Sequence, residues 1–166
     1  GAGLIPLQLE SLALGCVSFT ESYLSLNGGV NQHNMRSAYY SACAELEEIR
    51  RNYIKTGWKV AYGTSGTMKA VAELLVERDG GAVITKDSLK HLIARTVAEG
   101  KINAANMPKL RREVLPAGLA IIEAIFDQLQ FEKIHISDAT LKEGLIYDTL
   151  GRLSDQDRRV ETVIQL

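Results

Sequence analysis

The chain has 166 residues, 46% of them hydrophobic and 23% charged, which suits one folded domain of ordinary size and excludes a disordered segment. Nineteen basic against twenty acidic residues leave a formal charge of -1, and neither sign is gathered into a block of the kind that marks a nucleic-acid or membrane-surface binder. Apolar runs stay well short of the roughly 20 residues of a membrane span, and no basic-then-apolar leader opens the chain.

From residue 6 to 14, Leu7, Leu9, Leu12 and Leu14 sit among polar residues partly in period two, which predicts a half-buried strand. Asn27-Gly28-Gly29 marks a turn, because Asn and Gly accept positive φ at least expense. Met35, Tyr39, Ala42, Leu46, Ile49 and Tyr53 then recur at steps of three and four as the stripe of a long helix, stopped by Gly57. Residues 58–62 read as a short buried strand that runs into Gly63-Thr64-Ser65-Gly66-Thr67, after which Met68, Val71, Ala72 and Leu75 form the inner face of a second helix.

Asp79-Gly80-Gly81 breaks the chain again. Thr85 is the expected N-cap of a third helix with Leu89, Leu92, Ile93 and Val97 inward, closed by Gly100. A polar stretch leads to Leu115-Pro116, and Pro116 is expected in the first turn of a fourth helix, where its missing N–H is harmless. Ile134 and Ile136 alternate with polar residues across 133–137 as a short strand, and Thr140 with Glu143 makes a capping box before a last helix. The order β, α, β, α, α, α, β, α is that of a layered α/β domain, a single one over residues 1–166 with 153–166 as the start of a connector.

Glycines and hydroxyls at 63–67, set between a strand and a helix start, let the backbone approach a ligand while unpaired N–H groups and the helix dipole favour a phosphate. The same residues also suit an ordinary turn capped by Ser65 or Thr64, and pattern alone favours that plainer reading. G-x-x-x-x-G-K-[ST] is absent, so this is not a P-loop. Asp138, at a strand end, could hold a metal-bound water or a nucleotide hydroxyl, although an Asp before a helix is more often a dipole partner. Lys109, Arg111 and Arg112 form a basic cluster, read as a solvated loop in preference to a polyanion contact. His33, His91 and His135 share no ligand spacing, and Cys16 and Cys43 are expected as free thiols in a reducing cytoplasm. No Gly-x-Ser-x-Gly elbow supports acyl-transfer chemistry.

Leu14-Gly15-Cys16-Val17-Ser18-Phe19-Thr20-Glu21, Gly57-Trp58-Lys59-Val60-Ala61-Tyr62-Gly63-Thr64-Ser65-Gly66-Thr67-Met68-Lys69-Ala70, Leu115-Pro116-Ala117-Gly118-Leu119-Ala120-Ile121 and Ser137-Asp138-Ala139-Thr140-Leu141-Lys142-Glu143-Gly144 together resemble the exopolyphosphatase and guanosine pentaphosphatase (Ppx/GppA) family in order and spacing. The resemblance implies the second RNase H-like domain of the actin, Hsp70 and sugar kinase superfamily, truncated at its N-terminus so that the first strands of the sheet and the Asp-x-Gly-Gly-Gly-Ser loop are missing. It further implies a cytoplasmic protein, soluble or peripheral to the membrane, that removes the terminal phosphate of polyphosphate or converts pppGpp to ppGpp with Mg²⁺. Gly63, Thr64, Ser65, Gly66, Thr67 and Lys69 would be its phosphate-binding residues and Asp138, Glu143 and Gly144 a second set, with no metal ligand and no catalytic base in the chain. Such a piece is expected to be nearly inactive by itself. Its opening strand, lacking its neighbour, is expected to be displaced, disordered or paired with a second copy. A nucleotide- or polyphosphate-binding module without catalysis, and a lobe of an actin-like kinase, are the alternatives.

Overall fold

The computed structural model describes residues 6–25, 28–79 and 83–137. Helix α1 (Cys16–Phe19) runs directly into a π-helical segment, Thr20–Ser25, in which the Thr20 hydroxyl donates to the Cys16 carbonyl at 2.7 Å. A π-helical turn widens the backbone spiral, a distortion often found near functional sites. Phe19 and Leu24 are the buried anchors of this stretch.

Asn31 caps the long helix α2 (Gln32–Thr56), its side chain accepting from the Asn34 N–H at 2.9 Å, and Gly57 ends it at φ 72°. Of the stripe read from the sequence, Met35, Ala42, Leu46 and Ile49 are buried, Tyr39 and Tyr53 are partly buried against the core, and Ala38 joins the buried face. After a short β1 (Tyr62–Gly63) comes α3 (Gly66–Asp79), which buries Met68, Ala70, Val71, Ala72 and Leu75. Strand β2 (Val83–Thr85), which no sequence signal announced, precedes α4 (Lys86–Glu99). Thr85 caps α4 in a reciprocal box with Ser88, and Gly100 closes it in the left-handed region at φ 65°.

Helix α5 (Lys109–Gln128) is the hub on which α1, α2, α3 and α4 pack. It begins seven residues before the expected start, so Pro116 lies inside the helix and the basic cluster 109–112 is its first turn, not a loop. Proline is most at home in a first turn, which made Leu115-Pro116 look like the boundary. What extends the helix backward is burial of the connector before it, where Ile102 and Met107 are almost solvent-free. Small residues on both sides, Ala38 and Ala42 on α2 and Ala117, Ala120 and Ala124 on α5, allow close approach of the two longest helices.

Strand β3 (Lys133–Ile136) completes a sheet of order β1-β3-β2, with β1 parallel to β3 and β2 antiparallel to it. Side chains alternate across a strand, so Gly63, Ile134 and Ile84 face the helices while Tyr62 and His135 face the other way. Residues 58–62 are therefore not a buried strand: Trp58, Val60 and Tyr62 keep 39%, 49% and 58% of their surface, and only Tyr62 belongs to the ladder. The apolar run suggested cover on both faces, and among the described residues only one face has it.

Residues 6–15 form no strand. Leu7 and Leu9 are exposed, and only Leu12 and Leu14 rest against the core. A strand needs a neighbour for its N–H and C=O groups, and the described sheet offers none to this segment. The expected helix after 137, with Asp138, Thr140, Glu143 and Gly144, lies outside the described residues.

Candidate functional site

Strand β1 ends at Gly63, where a Cβ would lie 2.6 Å from Met68 Cε and 3.3 Å from Ile134 Cγ2, so that a side chain would require Met68 to shift. Its missing side chain thus serves internal packing. Thr64 and Ser65 follow, both exposed, and Ser65 caps α3 by accepting from the Met68 N–H at 3.1 Å, while its carbonyl accepts from the Lys69 N–H at 3.1 Å. The plainer reading of Ser65 as a cap is correct as far as its hydroxyl goes. Helix geometry nevertheless leaves the first N–H groups without intrahelical acceptors, and those of Gly66 and Thr67 find none among the described residues.

Gly66 stands open. A Cβ on it would meet only Arg111 Nη2, at 3.9 Å. The Thr67 side chain packs inward, its hydroxyl 3.8 Å from Cys16 Sγ and its methyl against Gly118. Lys69 is half-buried on the first turn of α3.

Arg111 is the member of the basic cluster that sequence reasoning misplaced. Lys109 is paired with Glu113 at 3.7 Å, and Arg112 donates to the Ala104 carbonyl at 3.1 Å. Arg111 alone of the three makes no ion pair or hydrogen bond among the described residues, and it stands beside Gly66. Cys16, Val17, Gly66, Thr67, Leu110 and Arg111 line a groove of about 300 Å³ there. Two backbone donors without acceptors among the described residues, at the positive end of a helix and near an exposed guanidinium, are an arrangement that can hold an anion with several oxygens.

A second polar cluster occupies the opposite end of the sheet, since Lys86 follows Thr85, which pairs with Lys133 at the start of β3, whereas the loop follows Gly63, which pairs with Ile136 at its end. Asp127 accepts there from Tyr39 Oη at 2.8 Å and forms an ion pair with Lys86 Nζ at 2.8 Å. Burial pushes the Asp127 carboxyl upward, but the Lys86 and Tyr39 hydrogen bonds outweigh it and hold the group below the usual carboxylate range. Burial and the bond to Asp127 raise Tyr39. Burial likewise raises Glu123, against the opposing pull of Arg36. This cluster ties α2, α4 and α5 together.

Among the described residues, no group of three His, Cys, Asp or Glu side chains is placed to hold a metal ion. Asp138, Glu143 and Gly144 lie outside them. No described helix is long and apolar enough to cross a membrane.

Among the described residues, a three-stranded mixed sheet with its helices on one face, and a glycine-hydroxyl loop leaving the parallel strand β1, define a layered α/β domain. The profile of the Ppx/GppA phosphatase family matches residues 3–153, and the chain belongs to that family. It is 33% identical over 161 residues to the guanosine-5'-triphosphate,3'-diphosphate pyrophosphatase of Aeromonas hydrophila, covering 95% of this chain and 32% of that protein. The protein of the same name from Pseudoalteromonas translucida is 31% identical, over 98% of this chain and 33% of its own length. The chain thus spans about a third of the length of these two relatives. The fold is that of the Aquifex aeolicus PPX-GPPA enzyme (TM-score 0.71, 19% identity, 88% of this chain and 50% of that one). An exopolyphosphatase from Cytophaga hutchinsonii shares it (TM-score 0.69, 18% identity, 87% and 50%). The α/β fold of the Ppx/GppA phosphatases, expected from the resemblance, is therefore the fold observed.

Proposed function

We propose that this chain forms one phosphate-holding wall of a phosphoanhydride hydrolase that acts on guanosine-5'-triphosphate,3'-diphosphate or on inorganic polyphosphate. The observation that carries the proposal is that the Gly66 and Thr67 amides and the Arg111 guanidinium, all without partners among the described residues, line one groove. The names of the relatives supply the substrates. In phosphoryl transfer to water the protein mainly positions the phosphate and stabilises charge spread over its equatorial oxygens. Backbone amides fixed by the Ser65 cap do this without reorganising, and Arg111 adds a two-pronged charged donor.

No described residue is placed as general base. In this reading the activation of water, and any Mg²⁺, belong to groups outside the described residues, and the isolated chain binds phosphate with little turnover. Cys16 and Cys43, both free thiols, fit a cytoplasmic setting.

Calorimetric titration with tripolyphosphate tests the wall itself. Saturable binding is expected, weakened at least about tenfold by Arg111→Gln, because a hydrogen bond to a charged group contributes about 1.5–3 kcal/mol. Gly66→Val, at a position with room for a side chain, should weaken it as well without unfolding the chain. No saturable binding, or binding indifferent to both changes, would overturn the proposal.

A further inference from the structure

At the end of the sheet remote from the Gly66 loop, the residues that lead into the parallel strands β1 and β3 border a cavity of about 350 Å³. Trp58 and Lys59 stand on one wall, and Gln130, Phe131, Lys133 and His135 on the other. Two aromatic rings set its character. Trp58 and Phe131 meet with centroids 4.8 Å apart and planes tilted by 57°. Phe131 is braced edge-on against the buried Phe126 at 6.3 Å, which fixes the platform to the core. Trp58 still keeps 39% of its surface. An indole held in place yet left open offers a ring face on which a second flat ring can stack.

The polar groups of the lining define the rest of the ligand. Lys59 and Lys133 are exposed and make no ion pair among the described residues. Glu132 is the one carboxylate in the lining, so the two lysines outnumber it and an anion is favoured over a cation. Glu132 is also shared with Lys86, which is raised first by its hydrogen bond to Asp127 and further by the Glu132 charge. Gln130 sits at φ 59°, and among the described residues no other non-glycine residue has a positive φ. The Phe131 N–H donates to the Phe126 carbonyl at 2.9 Å across it, a helix closure in which glycine is the usual residue. A side chain kept where glycine is less strained points to a use for it, and Gln130 stands on the cavity wall, where its amide can donate to an anion.

We propose that this cavity is a second ligand site, independent of the Gly66 loop, and that it takes a planar aromatic anion. The ring stacks on Trp58, and the anionic group lies between Lys59 and Lys133 with the Gln130 amide donating to it.

Trp58 is the only tryptophan in the chain, so its indole N–H gives a single NMR signal that reports on this cavity. Naphthoate titrated into the 166-residue chain should move that signal saturably. Naphthamide, which keeps the ring without the charge, and cyclohexanecarboxylate, which keeps the charge without the ring, should each bind at least about fivefold more weakly. Lys59→Gln with Lys133→Gln should bring naphthoate down to the level of naphthamide, with the fold intact because both side chains are exposed. Gln130→Gly should raise the urea midpoint while weakening naphthoate, a combination that a purely structural cap would not give. Absence of a saturable shift, either comparator binding as tightly as naphthoate, or a naphthoate affinity indifferent to these substitutions would overturn the site. None of those results would touch tripolyphosphate binding at the Gly66 loop.

Discussion

Thr67 on α3 lays its methyl in the space left by the absent side chain of Gly118 on α5: a Cβ on Gly118 would come within 2.6 Å of Thr67 Cγ2. The start of α3, and with it the Gly66 and Thr67 amides, is therefore seated directly on the central helix. Gly118→Ala should gain up to about 1 kcal/mol in helix propensity. It should still destabilise the fold by about 1–3 kcal/mol net, because a β-branched neighbour held against Cys16 has little freedom to yield. Urea unfolding checks this, and Thr67→Ser, which removes the clashing methyl, should restore most of the loss in the double variant.

The Asp127 cluster sets the pH limits of stability. With its folded-state pKa depressed, Asp127 contributes stability that is present above the ordinary carboxylate value and lost as pH falls through the folded one, so an acid limb is expected below about pH 4. Tyr39 is raised and contributes in the opposite sense: its share is complete below the ordinary tyrosine value and fades above about pH 10. Denaturation midpoints across pH should show both limbs. Asp127→Asn should flatten the acid one, and Tyr39→Phe should reduce stability at neutral pH by about 1 kcal/mol.

Glu123 is raised chiefly by burial, so its ionised form is held at a disadvantage in the fold at neutral pH. Replacing it with the neutral isostere removes that disadvantage. Glu123→Gln should raise the melting temperature at pH 7 and lose its advantage as the pH falls toward 4, where the wild-type carboxyl becomes protonated; a lowered melting temperature at pH 7 would contradict this.

Among the described residues, the sheet face carrying Val60, Tyr62 and His135 has no cover and β1 is an edge strand. In a parallel ladder alternate residues turn their backbone groups outward. Ala61 accepts from His135 of β3 at 2.9 Å and Gly63 from Ser137, just past the strand, at 3.1 Å, which leaves the backbone groups of Tyr62 pointing away. An open apolar edge invites pairing with a second copy. Sedimentation velocity should show concentration-dependent association of the 166-residue chain, reduced by Val60→Lys with Tyr62→Lys.

Local chemistry explains what could be read from the sequence. Gly57, Thr85 and Gly100 end or begin helices through caps built within a few residues, and the α2 and α3 stripes follow from periodicity alone. The failures lie where tertiary neighbours decide. Residues 6–14 have strand alternation but no strand to join, α5 reaches back past Pro116 because its connector is buried, and three-residue β2 exists only because β3 lies beside it. The Gly66 loop was visible as a pattern. Its partner Arg111 was not, because 45 positions (111 minus 66) separate two residues that folding sets side by side.

The most direct measurement is an amide-resolved NMR titration of the chain with tripolyphosphate, following the backbone N–H signals of Gly66 and Thr67 together with the Arg111 guanidinium. The account predicts that these shift first and in concert, and that Arg111→Gln suppresses the response at Gly66. Shifts confined to lysines elsewhere on the surface, with Gly66 and Thr67 silent, would contradict it.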